Sequence, residues 1–132
     1  MITGIDHVSL PMGDADAMVG FYHALGFEVE ELQGLVRVRA GQQMINFHRP
    51  ELWPRVGFTL RAPAAVPPCG DLCFVWDEGV DALHAVLERV GASIEEGPVE
   101  RDGGRRAMGT STYVRDPDGN LLEFIAYGAS AT

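Results

Sequence analysis

Imidazole and carboxylate side chains move protons and bind cations, and in this chain they fall on particular faces of short alternating segments. In Ile5–Pro11 the apolar Val8 and Leu10 share one face, and Ile5, His7 and Ser9 share the other. In Gln43–His48 the pattern repeats, with Ile45 and Phe47 opposed to Asn46 and His48. Near the C-terminus Leu122 and Phe124 are opposed to Glu123. A polar set that recurs on the face away from the apolar side chains is the main sign of function. Arg37 and Arg39 alternate with Val36 and Val38, and Tyr113 and Arg115 alternate around Val114. If the valines face helices, these donors face the other way and can hold a carboxylate or phosphate. The alternative is that the arginines pair with an acidic surface.

The elements that must position these residues follow from periodicity. Asp14 is placed to cap a helix that runs to about Ala24, with a stripe of Met18, Phe21, Tyr22 and Leu25 and a stop at Gly26. Strands are expected at Phe27–Leu32, Leu35–Ala40 and Gln43–His48, with turns at Gly34 and Gly41. Prolines at 50, 54, 63, 67 and 68 mark a connector, with one short extended piece near Val56–Leu60. A strand then runs from Asp71 to Trp76, and a second helix carries Val80, Leu83, Val86, Leu87 and Val90 before Gly91. Further strands are expected at Ser93–Val99, Thr110–Arg115 and Asn120–Tyr127.

The order βαβββ therefore occurs twice. Gly26–Glu31 aligns with Gly91–Glu96 at an offset of 65, which sets His7 against Leu72 and Leu10 against Val75. Asn46-Phe47 aligns with Glu123-Phe124 at an offset of 77, so the second copy carries extra residues in a hairpin, Val99–Gly109. A repeat of this kind is a fold-level signal. It predicts an α+β chain of two tandem βαβββ modules forming a curved, cup-like mixed sheet, with the helices on the outer face. The modules are expected at about 1–48 and 70–128, joined by a linker at about 49–69, within one domain spanning 1–132. The glycine-rich basic tip of the hairpin, around Arg101, Arg105 and Arg106, reads either as a lid or as a plain turn.

Two motifs carry a family resemblance. Ile5-Asp6-His7-Val8-Ser9-Leu10 followed by Phe21-Tyr22-His23-Ala24-Leu25-Gly26-Phe27 resembles the opening of the glyoxalase/bleomycin-resistance/extradiol-dioxygenase (vicinal oxygen chelate) superfamily. Arg115-Asp116-Pro117-Asp118-Gly119-Asn120-Leu121-Leu122-Glu123 resembles its closing signature, in which the Asp-Pro-Asp-Gly piece reads as a turn that fixes Glu123.

The resemblance implies a divalent metal (Fe, Mn, Zn or Ni) held by first and fourth strands of the modules. Carried over residue by residue, those positions are His7, Asn46, Leu72 and Glu123. Leu72 cannot ligate, and Asn46 offers only a neutral oxygen. His48, on the face of Asn46, is expected to make up the set His7, His48 and Glu123. Glu123 is also the candidate catalytic base. Asn46, Arg37, Arg39, Leu72, Phe74, Trp76, Tyr113 and Arg115 are the candidate substrate-binding residues. The helix residues His23 and His84 are not expected to bind metal.

The leading expectation is a metal-dependent lyase, isomerase or dioxygenase acting on a small oxygenated molecule. The alternative is a metal-free protein that sequesters a planar compound, which the aromatic Phe74 and Trp76 favour. The net charge of −9 in 132 residues argues against nucleic-acid or anionic-membrane partners. No stretch is apolar for long enough to span a bilayer. Two cysteines, Cys69 and Cys73, are too few for a disulfide framework. A cytoplasmic homodimer without a signal peptide is the expectation.

Overall fold

A computed structural model describes residues 1–128; the last four residues of the expected domain lie outside the described residues. The elements run β1 (His7–Pro11), α1 (Ala15–Leu25), β2 (Glu28–Glu31), β3 (Leu35–Ala40), β4 (Gln43–His48), β5 (Asp71–Val75), α2 (Val80–Arg89), β6 (Glu96–Asp102), β7 (Met108–Arg115) and β8 (Leu121–Tyr127). The tandem βαβββ order is as expected. The chain forms two compact units. The first is Met1–Gly70 with Pro117–Gly119, and the second is Asp71–Asp116 with the residues from Asn120 onward.

The first unit is a four-stranded mixed sheet of order β1-β4-β3-β2, in which β1 and β4 are parallel and the other pairs antiparallel. Asp14 starts α1 by accepting the Ala17 N–H at 3.1 Å. Gly26 ends it at φ 103°, where its N–H and that of Phe27 reach the carbonyls of His23 and Tyr22. Only glycine adopts that left-handed geometry without strain. Met18 and Tyr22 of α1 are buried with Val36, Val38, Ile45 and Phe47 of the sheet. Tyr22 and Phe47 meet at 5.5 Å between ring centroids. Burying a side chain the size of Phe47 contributes about 1.5–3 kcal/mol. The connector holds turns and irregular stretches with no strand, the segment expected to be extended at Val56–Leu60 included, and is tied to the unit by Trp53 Nε1, which donates to the Met12 carbonyl at 3.0 Å.

The second unit repeats the plan in the order β5-β8-β7-β6. Leu83 and Leu87 of α2 are buried with Val114, Leu122 and Phe124. His84 of α2 bonds to Thr112 of β7 through Nε2 and Oγ1 at 3.0 Å, which marks the Thr112 side of the sheet as the helix side. β6 begins at Glu96, later than expected. Its register shifts between Glu96 and Val99, where Gly97 sits at φ 116°. The extra hairpin is mostly paired strand, with Arg101 opposite Gly109 and Asp102 opposite Met108. Only a short turn at 103–107 remains, closed by the bond from Gly103 N–H to the Ala107 carbonyl.

The closing signature forms a turn, as its sequence implies. The Asp116 carboxylate accepts from the backbone and side-chain amides of Asn120 at 2.9 and 2.8 Å. Asp118 accepts the Gly13 and Asp14 N–H groups at 2.7 and 2.9 Å. The turn that precedes β8 thus also holds the chain just before α1.

Candidate functional site

In the first unit Val36, Val38, Ile45 and Phe47 point to α1, so the alternate residues of β3, β4 and β1 occupy the opposite face. Pairing sets them in rows. Arg37, Asn46 and Ser9 are abreast across the three strands. Leu35, His48 and Pro11 form the next row on one side, and Arg39, Met44 and His7 the next on the other. The expected polar face is therefore present, and Asn46 lies at its centre, 8% exposed.

The groups on this face differ in what already occupies them. Arg39 Nε donates to Glu30 at 2.8 Å, as the acidic-surface reading anticipates. Arg37 Nε and Asn46 Oδ1 are buried and have no hydrogen-bond partner among the described residues. His7 Nδ1 bonds to Asp6 Oδ2 at 2.7 Å. An ionised carboxylate only accepts, so Nδ1 is the donor in this contact and Nε2 is the ring nitrogen that the contact does not use, as in a carboxylate–histidine–metal arrangement. His48 packs edge-on to Phe58 at 5.1 Å and borders a cavity of about 70 Å³ with Ser9, Pro11, Arg61, Ala62 and Ala65. Burial, and then the Arg61 charge, hold its pKa below the usual histidine value.

The expectation that His48 joins His7 as a ligand is corrected by the register. His7 is opposite Met44, whereas His48 is opposite Pro11. Four residue steps at about 3.3 Å each separate them by about 13 Å along the strands, too far for a shared ion.

In the second unit the facing of β5 is the reverse of that expected. Cys73, not Leu72, is abreast of Glu123, while Leu72 and Phe74 are abreast of the buried Leu122 and Phe124. Phe74 and Phe124 lie 5.6 Å apart between centroids. Leu72 and Phe74 are thus on the helix side and not on the Glu123 face. The true offset for this strand is 64, which matches Ser9 with Cys73 and His7 with Asp71. A slip of one residue exchanges the two faces of a strand.

Asp71, Cys73, Ser111, Tyr113 and Glu123 therefore share one face. Ser111 Oγ donates to Glu123 Oε2 at 2.5 Å. The Cys73 thiol is pushed up to about 12, first by burial and then by the Glu123 charge and its hydrogen bond. Tyr113 Oη accepts from Arg101 Nε at 3.0 Å. Arg115 Nε donates to Glu95 at 3.0 Å, and this pairing keeps the Glu95 pKa below the usual carboxylate range. Trp76 lies just past β5, donates to the Gly79 carbonyl at 2.8 Å, and borders a cavity of about 640 Å³ with Val75, Val80, Arg105, Met108 and Tyr127.

Sequence reasoning missed Asp71, Cys73, Ser111 and Asp6, and a repeat offset smaller by one residue exposes the first two. Within either unit, no three His, Cys, Asp or Glu side chains among the described residues are gathered to hold a metal. What the repeat provides is one pair per unit at matching positions, His7 with Asn46 and Asp71 with Glu123.

Residues 4–124 match the model of the Glyoxalase/Bleomycin resistance protein/Dioxygenase superfamily. The chain is 36% identical over 129 residues to virulence protein STM3117 of Salmonella typhimurium, covering 96% of this chain and 86% of that protein. It is 36% identical over 131 residues to the glyoxalase domain-containing protein RDO1 of Mycosarcoma maydis, covering 96% and 69%. The crystal structure of STM3117 superposes with a TM-score of 0.85 over 97% of this chain and 99% of that one. A lactoylglutathione lyase from Agrobacterium tumefaciens, 27% identical, superposes with a TM-score of 0.70 over 95% and 94%. No helix among the described residues is long and apolar enough to cross a membrane.

Proposed function

Since this chain belongs to the Glyoxalase/Bleomycin resistance protein/Dioxygenase superfamily, we propose that it is a metal-dependent enzyme acting on a small oxygenated molecule, with Asp71 and Glu123 of the second unit and the equivalent His7 of the first as its candidate metal-binding residues. The observation that carries this reading is the internal equivalence of His7 with Asp71 and of Asn46 with Glu123. The contact from Asp6 to His7 Nδ1 supports it, because it leaves Nε2 as the nitrogen available to an ion. A bound divalent ion supplies Lewis-acid polarisation of a substrate oxygen. Glu123 is the base of this proposal. Ser111 holds one of its oxygens and so fixes the carboxylate plane from which a proton is accepted.

Elemental analysis of protein purified without chelators or metal-affinity resin tests the reading. Wild type should retain about one divalent ion per chain, and His7→Ala and Asp71→Asn far less. Equal, negligible metal in all three would end it.

A second reading, metal-free sequestration of a planar compound, is favoured by the 640 Å³ cavity beside Trp76, Met108 and Tyr127. On that reading a planar aromatic dye raises the Tm of chelator-treated protein, and Trp76→Ala abolishes the rise.

A further inference from the structure

We infer that Arg37 and Asn46 form the binding subsite for a small carboxylate that carries a hydroxyl or amino group on the neighbouring carbon. The inference rests on the proposal that this face binds a small oxygenated molecule, and it names the class.

The first observation is a buried arginine nitrogen, Arg37 Nε, that has no hydrogen-bond partner among the described residues. Arg39, Arg49, Arg101 and Arg115 are each paired with a glutamate at 2.8–3.3 Å. Arg37 has no carboxylate partner among the described residues, in a chain with a net charge of −9. Glu30 is abreast of Arg37 on β2, yet its carboxylate turns to Arg39 instead. The carboxylate abreast of Arg37 is thus engaged elsewhere, and the Arg37 Nε–H is buried with no acceptor among the described residues.

The second observation is independent of charge. Asn46 is 8% exposed, and its Oδ1 is a buried acceptor with no donor. Arg37 and Asn46 are paired across β3 and β4 in the row that ends at Ser9, but they do not satisfy each other. Burying a polar atom without a partner is unfavourable. A donor and an acceptor left open side by side call for one occupant able to satisfy both.

The chemistry of that occupant follows from the two atoms. A guanidinium Nε–H is best met by an anionic oxygen, and planar carboxylates fit it. The Asn46 carbonyl oxygen needs an O–H or N–H. Side chains paired across adjacent strands are about 5 Å apart at Cβ. One small molecule answers both when its anionic group and its donor are on neighbouring carbons. 2-Hydroxy and 2-amino carboxylates have this arrangement. Acetate lacks the donor and ethylene glycol lacks the charge.

The test is a titration of ¹⁵N-labelled, chelator-treated protein, followed at the side-chain Nε–Hε signal of Arg37, with glycolate, acetate and ethylene glycol as probes. Glycolate should shift the Arg37 signal saturably, acetate should bind about tenfold or more weakly, and ethylene glycol should leave the signal in place. Arg37→Gln should abolish the glycolate response in the backbone signals of Asn46 and Ser9. Asn46→Leu should remove the preference for glycolate over acetate, and Arg89→Gln, at the exposed end of α2, should change neither. Arg37→Lys, which keeps the charge and loses the fork, serves if the glutamine variant does not fold, and should bind about tenfold more weakly. An Arg37 signal indifferent to all three probes, with or without added zinc, overturns the subsite, because ordered water then suffices for both atoms. Glycolate binding undiminished in Arg37→Gln overturns it too. Because the titration needs no metal, its failure is distinguishable from failure of the metal-enzyme reading, which elemental analysis decides separately.

Discussion

Cys73 and Glu123 stand abreast on the parallel strands β5 and β8, and their side chains share the face turned away from α2. This pairing places Asp71 on the Glu123 face and Leu72 on the helix side. It also puts a thiol against a carboxylate, which suppresses the thiolate.

Cys73 should therefore be a poor nucleophile although the residue is exposed. With its pKa pushed up to about 12, only about one thiol in ten thousand is ionised at pH 8. Iodoacetamide at pH 8, read by peptide mass spectrometry, should label Cys69 well before Cys73. Glu123→Gln removes the charge but leaves the burial, so Cys73 should speed up without reaching the rate of unfolded chain. Equal labelling of the two cysteines in folded wild type would refute this.

His48 should make stability fall in mild acid. Burial and Arg61 lower its folded pKa, so the unfolded chain takes up the proton first as pH drops. The stabilisation is present above about pH 6.5 and is lost as pH falls through the lower folded value. Thermal melts across that range should show a Tm decline that is shallower in His48→Gln. Identical slopes in the two proteins would show that the histidine is not the linked group.

Gly97 should tolerate no side chain. It sits at φ 116°, and a Cβ there would lie 2.5 Å from the Ser111 carbonyl oxygen and 2.9 Å from Thr112 Cα. Both neighbours are backbone and cannot swing away. Gly97→Ala should cost at least about 2 kcal/mol, seen as a Tm lower by roughly 6 °C or more. A melt unchanged from wild type would mean that β6 and β7 do not approach as described.

Much of this architecture was legible in the residues. Asp14 and Gly26 bracketed α1 because capping chemistry is local. Val36, Val38, Ile45 and Phe47 alternate cleanly with polar residues, so the facing of β3 and β4 could be read directly. β5 was different. Leu72, Phe74 and Trp76 are apolar in one phase, and Cys73 and Val75 in the other, so alternation could not choose between faces. The glycine-anchored repeat then misplaced the strand by one residue. The error over His48 has another origin. Facing depends on whether a residue is odd or even along its own strand, but distance from His7 depends on how β1 and β4 are aligned, which no local pattern encodes. The partners of Arg39 and Arg115 were likewise hidden, since an excess of glutamates does not reveal which of them each arginine meets.

On the proposed function the chain binds a divalent ion, and Asp71 and Glu123 are among the residues proposed to hold it. Titration of chelator-treated protein with Mn(II), followed by the loss of the free-ion electron paramagnetic resonance signal, tests it most directly. The expected result is one site per chain, weakened about tenfold or more by Asp71→Asn and by Glu123→Gln, and left intact by His48→Gln. Mn(II) binding that is absent from wild type, or unaffected by the Asp71 and Glu123 substitutions, would contradict it.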